Sequence, residues 1–151
     1  MSLENQTFME KYHNLPFLEK KILQILSISY AKLTQTQLLA CLIALNIKTE
    51  DGKSFDSGTR NAMLKLLRSP LDALLSTDIL HGKTRSILFI NRDYIEVLTR
   101  HLVAEKTFTT LIDTLQHTLN LTEEGLAQEQ PLSMAKLMAG MRILFYQEKT
   151  A

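Results

Sequence analysis

Hydrophobic residues recur at intervals of three and four along most of the chain, which is the spacing of one face of an α-helix. This pattern predicts helices near residues 17–30, 34–45, 57–69, 93–102, 108–119 and 134–145. Only five glycines and three prolines interrupt the 151 residues, and helix interiors disfavour both residue types. The pattern therefore predicts a mainly α-helical protein.

Two of these helices carry signals for their ends. Thr34 and Gln37 have the spacing of a capping box, in which each side chain bonds the backbone N–H of the other residue. The next helix is predicted to begin near Asp56 or Ser57, since both residue types are favourable N-caps. It is predicted to end before Pro70, because a residue that precedes proline disfavours the helical conformation.

The periodicity changes between residues 74 and 90. Two short apolar runs, 74–80 and 84–90, flank the sequence His81-Gly82-Lys83. Such runs around a glycine turn are typical of a β-hairpin. The sequence therefore predicts two strands with a basic tip.

Three helices followed by a hairpin with a basic glycine tip resemble the winged helix-turn-helix superfamily over about residues 15–103. The resemblance rests on the capped helix at 34–45, the helix at 57–68 and the hairpin tip at 81–85. It implies a mainly α fold with three helices and a β-hairpin wing, continued by a C-terminal helical extension. The implied division is an N-terminal arm at 1–14, a winged-helix domain at 15–103 and the extension at 104–151.

The resemblance also implies binding to double-stranded DNA. In such modules the third helix lies in the major groove and the wing contacts the backbone or the minor groove. Arginine suits guanine or phosphate, asparagine suits adenine, and lysine and serine hold phosphates. The implied DNA-binding residues are Ser57, Arg60, Asn61, Lys65, Arg68, Lys83 and Arg85. The function expected from this reasoning is a DNA-binding module, such as a transcription regulator.

Charge supports this expectation only locally. The segment 53–100 contains eight cationic and five anionic side chains, while the whole chain has a net charge of +1. Lysines and arginines on a helix are more often simply solvated. The turn at 46–55 is also longer than the three or four residues usual in a helix-turn-helix. The near-neutral net charge and the long turn both favour the alternative function, a protein–protein interaction or adaptor module of a larger assembly that does not bind DNA.

The last predicted helix is unusually rich in methionine. Its apolar residues follow helical spacing, and methionine adapts to irregular binding surfaces. Two interpretations remain open: this helix packs on the domain core, or it forms a homodimer or partner interface. The candidate partner-binding residues are Met134, Leu137, Met138, Met141, Leu144 and Phe145.

Chemistry-bearing residues do not assemble into a recognisable motif. The four histidines lack metal-ligand spacing, so neither a metal site nor a cofactor is expected. The single cysteine, Cys41, lies within an apolar helix and is expected to be buried and inert. We expect no catalytic residues, and therefore no enzyme. Apolar runs fall short of the ~20 residues that span a bilayer, so no membrane partner is expected, and the lack of a disulfide framework favours a cytoplasmic protein.

Overall fold

The helical spacing is realised throughout the computed structural model, which describes residues 2–30, 32–56, 58–77, 79–81, 88–128 and 134–150. Within these ranges eight helices form, and the mainly α class is confirmed. Their bounds are α1 Leu3–His13, α2 Phe17–Ser29, α3 Gln35–Ala44, α4 Arg60–Leu75, α5 Arg92–Ala104, α6 Thr107–Thr118, α7 Glu123–Gln128 and α8 Met134–Thr150.

Helix α2 lies at the centre of the fold because it is apolar on nearly every side. Ile22, Leu23 and Ile25 are fully buried, and the helix contacts α3, α4, α5, α6 and α8. Its first turn is capped from a distance, since the N–H of Leu18 donates to the Glu50 carboxylate at 2.8 Å. The long turn at 46–55 is thus fixed against the start of α2.

Helix α3 begins as the sequence predicts. The Gln37 N–H donates to the Thr34 hydroxyl at 3.1 Å, and the Thr34 N–H donates to the Gln37 side chain at 2.9 Å. Both halves of the capping box are present, so this prediction is confirmed. The cap satisfies two backbone donors that the first helical turn leaves without partners.

Helix α4 differs from its predicted bounds at both ends. Its N-cap is Thr59, whose hydroxyl accepts from the Ala62 N–H at 3.2 Å, so the helix begins later than predicted and Asp56 does not cap it. The other predicted cap, Ser57, lies outside the described residues. It also continues through Pro70 to Leu75. A proline inside a helix removes one hydrogen bond. The fully buried residues of this helix offset that loss by packing on the core: Leu67, Leu71 and Leu74.

The predicted hairpin wing is not formed, so the winged helix-turn-helix class is wrong. Among the described residues, strand pairing is limited to β1, Leu80–His81, against β2, Phe89–Ile90, with two isolated bridges, one between Leu33 and Leu88 and one between Lys48 and Ser54. The first predicted strand fails because Leu74 continues the buried side of α4 with helical spacing. The predicted tip at residues 82–87 lies outside the described residues.

The remaining helices close the core around α2. The segment assigned to an N-terminal arm forms α1, which packs on α5 by stacking Phe8 on Tyr94 at 4.5 Å between ring centroids. Helices α5, α6 and α8 contact one another and α2. One apolar core therefore continues from α1 to α8, with Phe8 near one end of the chain and Ile143 near the other. This continuity fixes which side of α8 faces inward.

Candidate functional site

Four of the residues implied as DNA-binding lie exposed on α4. Asn61, Lys65 and Arg68 follow one another at intervals of four and three, so they share one stripe of the helix. Arg60 reaches toward α3, where its guanidinium donates to the Thr36 hydroxyl at 2.7 Å. The other three lie outside the described residues: Ser57, Lys83 and Arg85.

Carboxylates interrupt the cationic stripe of α4. Asp72 is exposed four residues after Arg68, on the same side of the helix. Lys65 borders a cleft of about 410 Å³ that Glu19 and Glu50 also line. Acidic groups in these places lower the positive potential that attracts a phosphate backbone. The described part of α4 therefore exposes mixed charge.

The acidic cleft beside Lys65 has a structural explanation. Burial raises the pKa of the Glu19 carboxyl, and the nearby Glu50 raises it further. Glu50 is held by the backbone of α2, as described above. The Thr49 hydroxyl donates to Asp51 at 2.6 Å and lowers the pKa of that carboxyl. These contacts order the long turn.

The outer side of α8 is apolar and open to solvent. Met134 is 70% exposed, Met141 is 61% exposed and Phe145 is 53% exposed. Among the described residues, the only other exposed large hydrophobic side chains are Leu3 and Phe17. We define the outer face of α8 by the six residues that the sequence analysis named as candidate partner contacts: Met134, Leu137, Met138, Met141, Leu144 and Phe145.

The inner side of α8 carries the contacts with the core. Ala139, Ile143 and Tyr146 are buried at intervals of four and three. They pack toward α2, α5 and α6. Helix α8 is therefore apolar on two sides, of which the core covers one. The helix packs on the domain core, as one of the two interpretations has it, through residues other than the six of the outer face.

Arg142 fixes the rotation of α8 on the core. Its guanidinium contacts Glu96 of α5 at 2.8 and 2.9 Å and lies 4.3 Å from the ring centroid of Tyr30. The Tyr146 hydroxyl donates to the same Glu96 carboxylate, and burial with this contact raises the pKa of Tyr146 to about 12. Arg142 also reaches the Thr99 hydroxyl at 3.3 Å. This network holds α8 with its outer face turned away from the core.

A basic cleft adjoins the N-terminal end of the outer face. It has a volume of about 550 Å³, and Met134 and Met138 form part of its wall. The described residues that line it include three cations and no carboxylate: Lys32, Arg92 and Lys136. The cleft could not be predicted from the sequence, because these cations come from separate parts of the chain. The methionine surface is therefore bordered by positive charge at this end.

The remaining candidates offer little chemistry. Cys41 is buried, as expected, and burial raises the pKa of its thiol to about 12. The fold brings His13 and His101 together, with ring centroids 5.0 Å apart, which their sequence separation did not indicate. Among the described residues no cluster of three potential metal ligands occurs.

The described helices include none that is both long and apolar enough to cross a membrane.

No protein-family model, curated protein or solved structure matches this chain. The candidate site therefore has to be assessed from its own geometry.

Proposed function

We propose that this chain is a non-catalytic protein–protein interaction module that docks through the outer face of α8. One observation carries the proposal: of the eight exposed large hydrophobic side chains among the described residues, six lie along this one helix face. Single exposed hydrophobic residues are common on protein surfaces, whereas contiguous ones mark binding sites. A cytoplasmic location is part of the same proposal, because a single buried thiol suits a reducing compartment.

The size of the face supports a binding role. At about 200 Å² for each large side chain, the exposed fractions amount to roughly 600 Å² of apolar surface. Covering that area gives a gross hydrophobic gain of roughly 15 kcal/mol. Association costs roughly 4–15 kcal/mol. A partner that covers the face and contributes apolar surface of its own therefore binds favourably.

The rigidity of the helix supports the same role. Because the Arg142–Glu96 network and the buried Ile143 fix α8, its outer face is preorganised and little further ordering is needed on binding. Methionine side chains on such a face adapt to the shape of a partner. The helix thus combines a fixed backbone with an adaptable surface.

DNA binding through α4 is the second candidate. The shared stripe of Asn61, Lys65 and Arg68 favours it. Asp72 on the same side of the helix and the acidic cleft beside Lys65 weigh against it. We therefore place docking through α8 first.

Site-specific photo-crosslinking in the source cells tests the proposal. A benzophenone amino acid replaces Leu144 on the outer face or, as a matched control, Asn61 on the exposed side of α4. We expect one discrete protein adduct from position 144 and none from position 61. Adding Met141→Lys to the first variant abolishes the adduct, because it buries a charge in the interface.

Three results would contradict the proposal. Position 144 gives no discrete adduct, or it gives the same adducts as position 61. A further contradiction is an adduct that Met141→Lys leaves unchanged, because such an adduct does not depend on the apolar face. Helical circular dichroism of each variant checks that the fold is retained.

A further inference from the structure

The exposed residues of α8 repeat with the spacing of a two-helix seam. Met134 and Met141 are seven residues apart, and Leu137 and Leu144 repeat the same interval three residues later. Alternating steps of three and four define the positions at which paired helices interlock their side chains. The buried residues Ala139 and Tyr146 lie on the opposite side, so the seam residues Met134, Leu137, Met141 and Leu144 are exposed. The outer face is therefore shaped to receive another helix.

The seam matches a copy of itself when the two helices run antiparallel. A two-fold axis that crosses the outer face at the level of residue 139 along the helix places Met134 opposite Leu144 of the other copy, and Leu137 opposite Met141. Each apolar position then faces another apolar position, as a self-complementary interface requires. The antiparallel arrangement also pairs the opposite ends of two helix dipoles.

Charge selects the antiparallel direction over the parallel one. Glu148 is exposed and continues the seam seven residues after Met141. In a parallel pair the two Glu148 carboxylates would meet and repel each other. In an antiparallel pair, Glu148 of one copy approaches the N-terminal end of α8 in the other copy. The basic cleft lies there, with Arg92 and Lys136 in its wall.

The area is sufficient for a weak dimer. Two outer faces together bury about 1,200 Å², which is the lower limit for specific interfaces. An interface of this size without a larger apolar centre gives a weak dimer, which forms only at high protein concentration.

From these observations we infer that the partner of the outer face of α8 is a second copy of this chain, in an antiparallel two-fold dimer. The inference rests on the proposed function, because it names the partner of the same surface. In this dimer the outer face of each α8 packs against that of the other copy. The C-terminal end of each α8 lies beside the basic cleft of the other copy.

Sedimentation velocity of the purified chain tests the dimer. From about 1 μM to about 500 μM we expect a shift from monomer to dimer, as suits an interface of this size. Met141→Lys raises the dissociation constant by roughly 100-fold or more, because it buries an unpaired charge. Asn61→Lys is the matched control, which adds the same charge on α4 and leaves the association unchanged. Met141 is mostly exposed in the monomer, so the variant keeps its fold.

Disulfide trapping tests the direction. In the antiparallel register the two copies of residue 134 are roughly 15 Å apart along the helices, beyond the ~7 Å that a disulfide can bridge. Met134→Cys therefore forms a disulfide with Leu144→Cys in a mixture of the two variants, and not with itself. The native Cys41 is buried and stays silent. A homotypic disulfide at position 134 would overturn the antiparallel arrangement.

The outcomes separate this inference from the proposed function. A chain that stays monomeric, while position 144 still gives an adduct with a different protein in cells, overturns the dimer and leaves the docking function intact. A monomer without any adduct overturns both. A dimer that Met141→Lys does not weaken overturns the inference, because it forms through another surface. Monomeric chain that binds phospholipid vesicles through Met141 also overturns it, in favour of a lipid surface.

Discussion

Helices α4 and α8 expose opposite kinds of surface, although each packs one apolar side on the same core. The outer side of α4 presents Asn61, Lys65 and Arg68, and the outer face of α8 presents methionine, leucine and phenylalanine. Charged side chains keep their favourable hydration when they are exposed. Apolar side chains gain by leaving water. Exposure to solvent is therefore favourable for the outer side of α4 and unfavourable for the outer face of α8.

This difference favours α8 over α4 as the interaction surface. A cationic helix face is the ordinary state of a solvated helix, so α4 gives weak grounds for a ligand. A protein without a partner seldom exposes six apolar residues on one helix. We therefore place the interaction on α8, although the resemblance at the sequence level placed it on α4.

The largest expected effect contrasts two neighbouring residues of α8. Ile143 is 1% exposed and Leu144 is 47% exposed. Ile143→Ala lowers the free energy of unfolding by about 3 kcal/mol because it leaves a cavity in the core. Leu144→Ala changes the free energy of unfolding by less than about 0.5 kcal/mol in the dilute monomer. Urea unfolding measures both values. Equal losses at the two positions would show that α8 is rotated differently.

The next effect concerns the network that holds α8. Arg142→Ala removes the cation from the Glu96 carboxylate and lowers the free energy of unfolding by about 2 kcal/mol, less than for a fully buried pair because Glu96 is half-exposed. Arg100→Ala is the control, because Arg100 is exposed and donates to the backbone carbonyl of Glu96. Urea unfolding compares the two variants. A loss for Arg142→Ala no greater than for Arg100→Ala would contradict the role of this network.

A smaller effect appears in alkaline solution. The native pKa of Tyr146, about 12, is above the ordinary value of 10.0, so folding favours the neutral phenol. Its contribution to stability is complete below pH 10 and is lost as the pH rises from 10 through 12. Tyr146→Phe removes this titration, so its free energy of unfolding falls less over that range. Urea unfolding at a series of pH values measures the slopes, and identical slopes would contradict the contact with Glu96.

The smallest expected effect concerns the cations of α4. Lys65→Ala combined with Arg68→Ala changes the free energy of unfolding by less than about 0.5 kcal/mol, as is usual for exposed positions. We expect no tight binding of the native chain to a random duplex DNA, because carboxylates interrupt the cationic stripe. Fluorescence anisotropy at low and moderate salt measures it. Binding that falls steeply with salt and is lost in the double variant would move the functional surface back to α4.

Local signals predicted the helices well. The capping box of Thr34 and Gln37 depends on residues three apart, so the sequence determines it almost alone. The end of α4 could not be predicted in this way. Pro70 is a strong local signal for a helix end, and the burial of Leu71 and Leu74 outweighs it through contacts with the rest of the core. The same burial removed the first strand of the predicted wing.

The sequence predicted which residues form the candidate site, but it did not predict the direction in which they face. Helical spacing identified all six residues of the outer face, and it left open whether they face the core or the solvent. That choice depends on Ala139, Ile143 and Tyr146, which form a second apolar side on the same helix. Arg142 was one sequence signal for the side of α8 that faces the core, since a cation between apolar residues indicates a partner carboxylate. Its partner, Glu96, is too distant in sequence to be identified from spacing.

Cysteine accessibility in cells tests the central claim most directly, because Cys41 is buried and its thiol is unreactive. Leu144→Cys and Asn61→Cys each introduce one exposed thiol, on α8 and on α4 respectively. In dilute purified chain we expect both thiols to react with a maleimide at similar rates. In the source cells we expect the thiol at position 144 to be protected by roughly tenfold or more, as in a buried interface, and the thiol at position 61 to react as before. Equal labelling of the two positions in cells would contradict docking through the outer face of α8.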